Sequence, residues 1–398
     1  MHLGILASHP IQYYTPWYRA LAERVDLDVY YAQAPSASER GASGFEEAFD
    51  WDVDLLSGYD STVLENRAER PRVDDQSFFG CDTPGIYDRV RTGGFDAFVV
   101  MGWYAKTFWQ AVHACRQSGV PVCARGDSQL DPTAPLWKQA AKQVTHRLML
   151  RAFDGFLAVG TQFASYLRHY GVESTRIFHV PHCIDTDRFA RQTEEARQDG
   201  TPQRIGDRLG LGDAVTYLFV GKFIPVKRPK DFVDAVARRA RSGASVSGVM
   251  VGTGPLEDEL RRAAESAEAP VHFEGFQNQS RLPAYYALAD ALVLPSASET
   301  WGLVVNEAMA CGTPAITSDA VGCSPNMIDD GKTGYTFPVG NVDALADRMR
   351  TIEKRVRDGN DFQAAVARKT RLHSPEVAAG RTVAAVRSLR SKSPATPA

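Results

Sequence analysis

Short runs of apolar residues alternate with longer helical segments along most of the chain. Leu3 to Ala7 and Leu27 to Ala32 are two such runs, and a helix is predicted between them from Trp17 to Arg24. Strand, helix and strand in this order are typical of a parallel sheet covered by helices. Further strands are predicted at Phe95–Gly102, Gly119–Arg125, Asp154–Gly160, Arg176–Pro181, Val215–Gly221, Ser247–Gly252, Val271–Gly275, Ala291–Leu294 and Ala315–Thr317.

A polar, glycine-containing stretch interrupts this alternation before it restarts at Val215. Such a shift in composition is typical of a linker, and a length of 398 residues fits two domains. Ser374, Pro375 and Glu376 then form a favourable start for a last helix. The predicted divisions are two Rossmann-like domains at 1–190 and 213–373, a linker at 191–212, a helix at 374–390 and a frayed tail at 391–398.

Two glutamates flank the start of one predicted helix in the second half. Glu299 lies in the loop after the strand Ala291–Leu294, and Glu307 lies near the start of the helix that Gly312 and Pro314 end. Helical side chains lean toward the N-terminus, so both carboxylates can face the carboxyl edge of the sheet. Open α/β sheets bind ligands at that edge, and the N–H groups of a helix start suit a phosphate.

Three more loops follow predicted strands of the same half. One carries Lys222 and Lys227, the second is the tight turn of residues 252–255, and the third is residues 274–276. The second loop is not a dinucleotide fingerprint, because Glu257 stands where the third glycine would be. Cations, glycine turns and carboxylates together suit a nucleoside diphosphate joined to a polyol.

Composition excludes several function classes. Apolar content of 44% and charged content of 23% are ordinary for a globular protein, and a net charge of −3 gives no bulk attraction to nucleic acid. The six cysteines have no metal-ligand spacing, and we expect them to be reduced and mostly buried. Without a basic leader or a membrane-spanning apolar run, we expect a cytoplasmic protein.

A basic amphipathic helix is predicted from Trp137 to Ala152. Lys138, Lys142 and Arg147 are interleaved there with apolar residues. This pattern leaves open a peripheral contact with the inner face of the membrane, although a solvated helix face is the favoured interpretation.

Asp50, Asp52 and Asp54 form overlapping D-x-D patterns, which in some proteins hold a metal and a nucleotide. They alternate with Trp51 and Val53, which favours the solvent face of one strand. We predict no metal there.

Two loops of the first half carry polar side chains after predicted strands. His9 lies among aromatic residues in the first loop, which predicts either the wall of an acceptor site or an ordinary packed loop. Arg125 and Asp127 lie in the second loop, where they either touch a phosphate or sugar hydroxyl or pair with each other.

Taken together, these motifs resemble the retaining glycosyltransferases of family 4, which have the GT-B fold. The resemblance is carried by Glu299-x7-Glu307, the loop with Lys222 and Lys227, and the segments 252–255, 273–276, 331–335 and 180–189. It implies two Rossmann-like domains facing across a cleft, with a C-terminal helix that crosses back to the N-terminal domain.

The resemblance also implies roles for single residues. Glu307 would hold the ribose hydroxyls, and Glu299 would contact the donor sugar near its anomeric carbon. Lys222 and Lys227 would neutralise the diphosphate; the family more often has Arg at the first of these positions, and Lys lacks the fork of Arg. The further donor-binding residues would be Gly302, Leu303, Val304, Gly252, Gly254, Phe276 and Trp301.

The first half departs from the family pattern at one position. Many members carry a histidine after the strand that here ends at Arg125, whereas this chain has Gly126 and Asp127. Either Asp127 or His9 takes that catalytic role, or the role is absent.

The expected function is transfer of a sugar from a nucleoside-diphosphate sugar to a hydroxyl group, without a cofactor or an obligatory metal. UDP is the favoured nucleotide and GDP the next, and the acceptor is a glycan, a lipid or a small metabolite. The alternatives are an epimerase or phosphorylase of the same fold and a non-catalytic protein that binds sugar nucleotides.

Overall fold

A computed structural model describes residues 1–36, 50–73, 77–131 and 134–390. The chain divides into two compact units, each built around its own parallel sheet, which confirms the predicted α/β class. The first unit comprises Met1–Ser36, Asp54–Cys183 and Pro375–Ala398, and the second comprises Ala37–Val53 and Ile184–Ser374. The predicted tail, 391–398, lies outside the described residues.

The first unit has a parallel sheet of seven strands in the order β3-β2-β1-β4-β5-β6-β7. These strands are β1 His2–Ala7, β2 Asp26–Tyr31, β3 Asp60–Val63, β4 Ala97–Val100, β5 Val122–Gly126, β6 Gly155–Ala158 and β7 Ile177–His179. Its helices are α1 Thr15–Ala22, α2 Ile86–Thr92, α3 Lys106–Ser118, α4 Leu136–Met149, α5 Thr161–His169 and α15 Pro375–Arg390.

Alternation along these strands builds a core on each face of the sheet. Leu6 and Phe98 point to one face, where helices α2, α3 and α5 pack, and Leu3 and Ile5 point to the other, where α1 and α15 pack. Trp17 of α1 donates from its indole nitrogen to the hydroxyl of Thr382 in α15 at 3.3 Å. The C-terminal helix is thus an integral layer of the first unit.

The second unit has six parallel strands in the order β10-β9-β8-β11-β12-β13. These strands are β8 Val215–Val220, β9 Val246–Val251, β10 Val271–Phe273, β11 Ala291–Leu294, β12 Ala315–Ser318 and β13 Gly334–Phe337. Its helices are α6 Thr186–Gln198, α7 Thr201–Leu209, α8 Pro229–Arg241, α9 Glu257–Ser266, α10 Leu282–Leu288, α11 Leu303–Ala310, α12 Ser324–Met327, α13 Val342–Arg357 and α14 Gln363–Arg371.

The segment expected to be a linker is instead helical. Residues 191–212 contribute the end of α6 and all of α7, and the second unit begins at Ile184. Thr193, Ala196 and Ile205 are buried sparsely along otherwise polar helices. A surface helix with so narrow an apolar stripe has the composition of a linker. For this reason the sequence predicted a linker where the structure has two helices.

The strand expected around the D-x-D pattern is absent from residues 50–56. Asp52 accepts a hydrogen bond from the Ser280 backbone N–H at 3.1 Å. Asp54 accepts hydrogen bonds from Ser57 and from the Leu56 N–H, which lower its pKa to about 2. Asp54 therefore stabilises its own turn, whereas Asp52 joins this segment to Ser280, 228 residues away. Across the described ranges, no group of three or more metal-ligating side chains comes together.

Among the helices that the structure describes, none is both long enough and apolar enough to cross a bilayer.

All six cysteines are buried, as expected, and none is in a disulfide. Burial raises the pKa of Cys115, Cys183 and Cys311 to about 12. The thiols are therefore both shielded and protonated at neutral pH.

We predict that these thiols react with a water-soluble disulfide reagent only after unfolding. Titration of the native protein should show no rapid reaction, and titration in denaturant should show all six thiols. A fast-reacting thiol in the native protein would contradict the buried placement.

Candidate active site

The candidate site lies at the carboxyl edge of the second sheet, where the strand order changes direction. Strands β8 and β11 are neighbours there, and the chain leaves them toward opposite sides of the sheet. The loop after β8 carries Lys222 and Lys227, and the loop after β11 carries Glu299. The N–H of Ala297 donates to the carbonyl of Val226 at 2.7 Å, which joins the two loops.

Lys227 and Glu299 form an ion pair across these loops. The Lys227 ammonium group donates to Glu299 Oε2, and the two side chains are 21% and 18% exposed. The carbonyl of Glu299 accepts from the N–H of Gly322 at 2.8 Å, which fixes its backbone. Because the pair remains partly open to solvent, an entering anion can compete with Glu299 for the lysine.

Lys222 adds a second cation to the same loop. Its side chain is half-buried, and its pKa is lowered, first by burial and then by the positive charge of Lys227. Burial and the nearby charge both disfavour the protonated form of Lys222. A bound anion would offset this unfavourable electrostatic energy. This arrangement favours a phosphate or diphosphate ligand.

Glycines allow the neighbouring loops to approach this edge closely. Gly252 has φ 141°, and a Cβ there would overlap the carbonyl oxygen of Gly221. Gly254 has φ 153°, and a Cβ there would lie 2.8 Å from the backbone of Phe223. The N–H of Phe223 donates to the carbonyl of Thr253 at 2.8 Å, and that of Gly252 to Gly275 at 2.8 Å. The loops after β8, β9 and β10 are thus held together through their backbones.

Glu307 lies one turn inside α11 and is completely buried. Its carboxylate accepts from the Tyr286 hydroxyl at 2.6 Å and from the Gln279 amide at 3.3 Å. Gln279 is in turn held by the Arg188 guanidinium at 3.0 Å. A buried carboxylate needs such donors. Its predicted role with ribose stays a prediction, and it would require Gln279 or Tyr286 to share the carboxylate with the ligand.

The helix start at Gly302 matches the predicted geometry. Gly302 caps α11 at φ 99°, and Leu303 and Val304 are its first helical residues, both half-buried. The first N–H groups of a helix lack partners within the helix, which suits an anion at this position.

Two aromatic residues of the predicted donor site differ in exposure. Trp301 is only 3% exposed, and its indole N–H donates to Asn306 at 2.9 Å. This burial favours a packing role for Trp301 over ligand contact. Phe276 is half-buried in the loop after β10, where it stays a predicted contact for the base.

In the first unit, the predicted acceptor residues lie after different strands of one sheet. His9 follows β1 and lies beside the Ser8 hydroxyl, with Oγ to Nδ1 at 3.0 Å. Asp127 follows β5, and its charge, together with burial as the larger cause, raises the pKa of Tyr14. Tyr14 stacks on His182 with a centroid separation of 6.1 Å. His182 follows β7 and was not among the predicted site residues.

Arg125, which was expected to touch a ligand or to pair with Asp127, is held by the backbone of a neighbouring segment. It is 2% exposed, and its guanidinium donates to the carbonyls of Val180 and Pro181, both at 3.0 Å. It also lies 4.5 Å from the centre of the Trp17 ring. Arg125 therefore fixes the segment that carries His182.

Several residues at these sites were missed by sequence reasoning. Gln279, Tyr286 and Arg188 surround Glu307 from other elements, and nothing in their local sequence signals that contact. His182 did carry a signal, because it follows a strand end as His9 does.

Family models match both halves of the chain. The model described as Glycosyltransferase Family 4 matches residues 16–188, and the one described as Glycosyl transferases group 1 matches residues 207–369.

Curated relatives match over part of their length. D-inositol 3-phosphate glycosyltransferase 2 of Catenulispora acidiphila is 32% identical over 63% of this chain and 59% of its own. A GDP-mannose-dependent alpha-(1-6)-phosphatidylinositol monomannoside mannosyltransferase of Mycolicibacterium smegmatis is 32% identical over 43% of this chain and 46% of its own. The chain spans about three fifths of the length of the first of these relatives and of a Streptomyces bingchenggensis relative.

Solved structures match nearly the whole chain in fold. Anabaena HepE, solved with UDP and glucose, has a TM-score of 0.68 at 16% identity and covers 97% of this chain and 99% of its own. Sucrose-phosphate synthase of Thermosynechococcus elongatus has a TM-score of 0.72 at 19% identity and covers 99% of this chain and 100% of its own.

Two parallel-sheet α/β units with these structural neighbours define the GT-B fold of glycosyltransferases. Within that class, the matches to both halves confirm the resemblance to glycosyltransferase family 4 that the motifs predicted.

We predict that Gly252→Ala destabilises the second unit and disrupts the site, because a Cβ there collides with the Gly221 carbonyl. Strain in this glycine-only region costs about 1–3 kcal/mol. Gly210→Ala is the matched control, since Gly210 also has positive φ, at 67°, but open space around it. Thermal unfolding should show a clearly larger loss for Gly252→Ala; equal losses would contradict the packing described.

Proposed function

We propose that this protein is a retaining, metal-independent glycosyltransferase that uses a nucleoside-diphosphate sugar, with UDP favoured. The observation that carries the proposal is the Lys227–Glu299 ion pair beside Lys222 at the switch point between β8 and β11. Two cations and a glycine-lined turn suit a diphosphate, and a carboxylate within reach suits the hydroxyls of the attached sugar.

The identity of the nucleotide is proposed from the residues of the site and from the ligands named for related proteins. The helix start at Gly302 and the two lysines bind the diphosphate, Glu307 holds the ribose, and Phe276 borders the base. HepE was solved with UDP, which supports a uridine nucleotide, whereas the mycobacterial relative is GDP-mannose-dependent and makes guanine the next choice. A thermal-shift screen across sugar nucleotides tests this, because bound ligand raises the unfolding temperature.

The proposed reaction begins when the diphosphate of the donor displaces Glu299 as the ion-pair partner of Lys227. The freed carboxylate then accepts hydrogen bonds from the donor sugar. The bond between the anomeric carbon and the phosphate oxygen breaks, and its electron pair stays on the diphosphate, which Lys222 and Lys227 stabilise. The acceptor oxygen attacks the same face of that carbon, and its proton passes to the departing phosphate oxygen.

The first unit is proposed to bind the acceptor through its loops at the carboxyl edge. His9 and Asp127 lie in those loops, and their proposed role is to orient the acceptor hydroxyl. Relatives include enzymes named for inositol phosphate and for a phosphatidylinositol mannoside. The proposed acceptor is therefore a hydroxyl group of a glycan, a lipid or a small metabolite.

We expect Lys227→Ala to reduce turnover about 10²–10³-fold, the usual loss when one group that stabilises developing negative charge is removed. The matched control is Lys230→Ala, since Lys230 lies three residues away and pairs with Asp234 at 2.7 Å on the surface. Turnover is measured as nucleoside diphosphate released and glycosylated product formed.

Near wild-type turnover by Lys227→Ala would refute this mechanism. Release of free epimerised sugar nucleotide, in place of a glycosylated acceptor, would refute the reaction class.

We expect UDP affinity to fall as pH rises through the lowered pKa of Lys222. The bound diphosphate raises that pKa again, so binding takes up a proton above the free pKa and the contribution is complete only below it. The loss is at most about tenfold per pH unit. Calorimetry in buffers of different ionisation enthalpy measures the uptake.

Lys222→Arg is the control for this pH dependence, because arginine keeps its charge throughout the range. It should bind UDP with no such alkaline loss. An unchanged alkaline loss in Lys222→Arg would assign the titration to another group.

A further inference from the structure

Helix α4, Leu136–Met149, has no fully buried residue. Its largest apolar side chains are instead among the most exposed of the described residues: Leu136 at 83%, Trp137 at 74%, Val144 at 62% and Leu148 at 60%. Trp137, Val144 and Leu148 are spaced by seven and four residues, which places them on one side of the helix. We name this side the α4 stripe.

The opposite side of the helix is fixed to the protein by polar residues. The Gln143 side chain donates to the carbonyl of His169 at 3.3 Å, and the ring of His146 stacks on Tyr170 with centroids 5.0 Å apart. A surface helix ordinarily turns its apolar stripe toward the core. Here the anchoring contacts turn the α4 stripe outward.

Basic residues flank the stripe on both sides. At about 100° per residue, Lys138 and Lys142 lie on one flank and Arg147 lies on the other. Arg151 follows in the 3-10 turn Leu150–Ala152, directly after the helix. Residues 136–151 contain no acidic side chain, although the whole chain carries a net charge of −3. The positive charge is therefore concentrated around the exposed apolar side chains.

We propose that α4 docks the protein onto an anionic lipid bilayer surface. The helix lies in the interface with the α4 stripe among the upper acyl chains, while the flanking lysines and arginines contact lipid phosphates. Tryptophan favours this interface. A second copy fits the face poorly, because two basic surfaces repel each other. Of the two alternatives for this helix, the proposal takes the membrane surface over the solvated face, and it does not depend on the proposed reaction.

The test is sedimentation of the full chain with phosphatidylcholine vesicles, with and without phosphatidylglycerol. Binding is expected only with phosphatidylglycerol, and it should weaken as salt is raised. Failure to bind the anionic vesicles overturns the proposal, and so does equal binding to both compositions.

Variants separate the apolar and charged contributions. Trp137→Ala and Leu148→Ala should each reduce vesicle affinity about tenfold, because each removes an inserted side chain. Leu372→Ala is the matched control, since Leu372 is a 52% exposed leucine of the second unit and should have no effect. Lys138→Gln should reduce the affinity for anionic vesicles about fivefold, because it removes one charge that contacts lipid phosphates.

Two further measurements keep the outcomes distinct. All these residues are exposed, so the variants should keep the wild-type unfolding temperature and UDP response, which separates this proposal from the proposed function. Analytical ultracentrifugation detects self-association. A dimer that Trp137→Ala abolishes, together with no vesicle binding, would assign the α4 stripe to a contact between copies.

Discussion

The close approach of the backbone at Gly252 to the Gly221 carbonyl sets the spacing of the loops in the second unit. It brings the turn after β9 against the loop after β8, and Phe223 then bonds to Thr253 through the main chain. The loop that carries Lys222 and Lys227 is held within this assembly through its backbone, so both residues are already placed at this edge before any ligand arrives. A preorganised cationic edge costs no reorganisation when charge develops on a departing phosphate.

Glu299 and Glu307, the two glutamates of the Glu-x7-Glu motif, have different environments. Glu299 sits in a partly open ion pair whose partner can be exchanged, whereas Glu307 is enclosed by Tyr286 and Gln279. An exchangeable pair suits a group that must respond to substrate. An enclosed carboxylate with directed donors suits a group whose position must not vary, and Arg188 extends that support by fixing Gln279.

Sequence patterns predicted the elements that depend on local order and missed contacts between distant segments. Apolar runs located β8 and β11, and the loops after them located Lys222, Lys227 and Glu299. Composition failed at residues 191–212, since helices with few buried positions resemble a linker. The contact between Gln279 and Glu307 joins residues 28 apart, and the anchoring of Arg125 on Val180 joins residues 55 apart. No periodicity encodes such pairs, because they arise only when separate elements pack.

The first unit is built from segments that are far apart in the sequence, because α15 belongs to it. Ala378, Val383, Val386 and Leu389 complete the core that Trp17 and Leu21 begin, yet the whole of residues 184–374 is synthesised between them. On the ribosome, that core stays incomplete until α15 emerges. The second unit, which ends at Ser374, is fully synthesised before that. The order of translation thus separates the two folding events and leaves an apolar face of the N-terminal sheet in need of protection during synthesis.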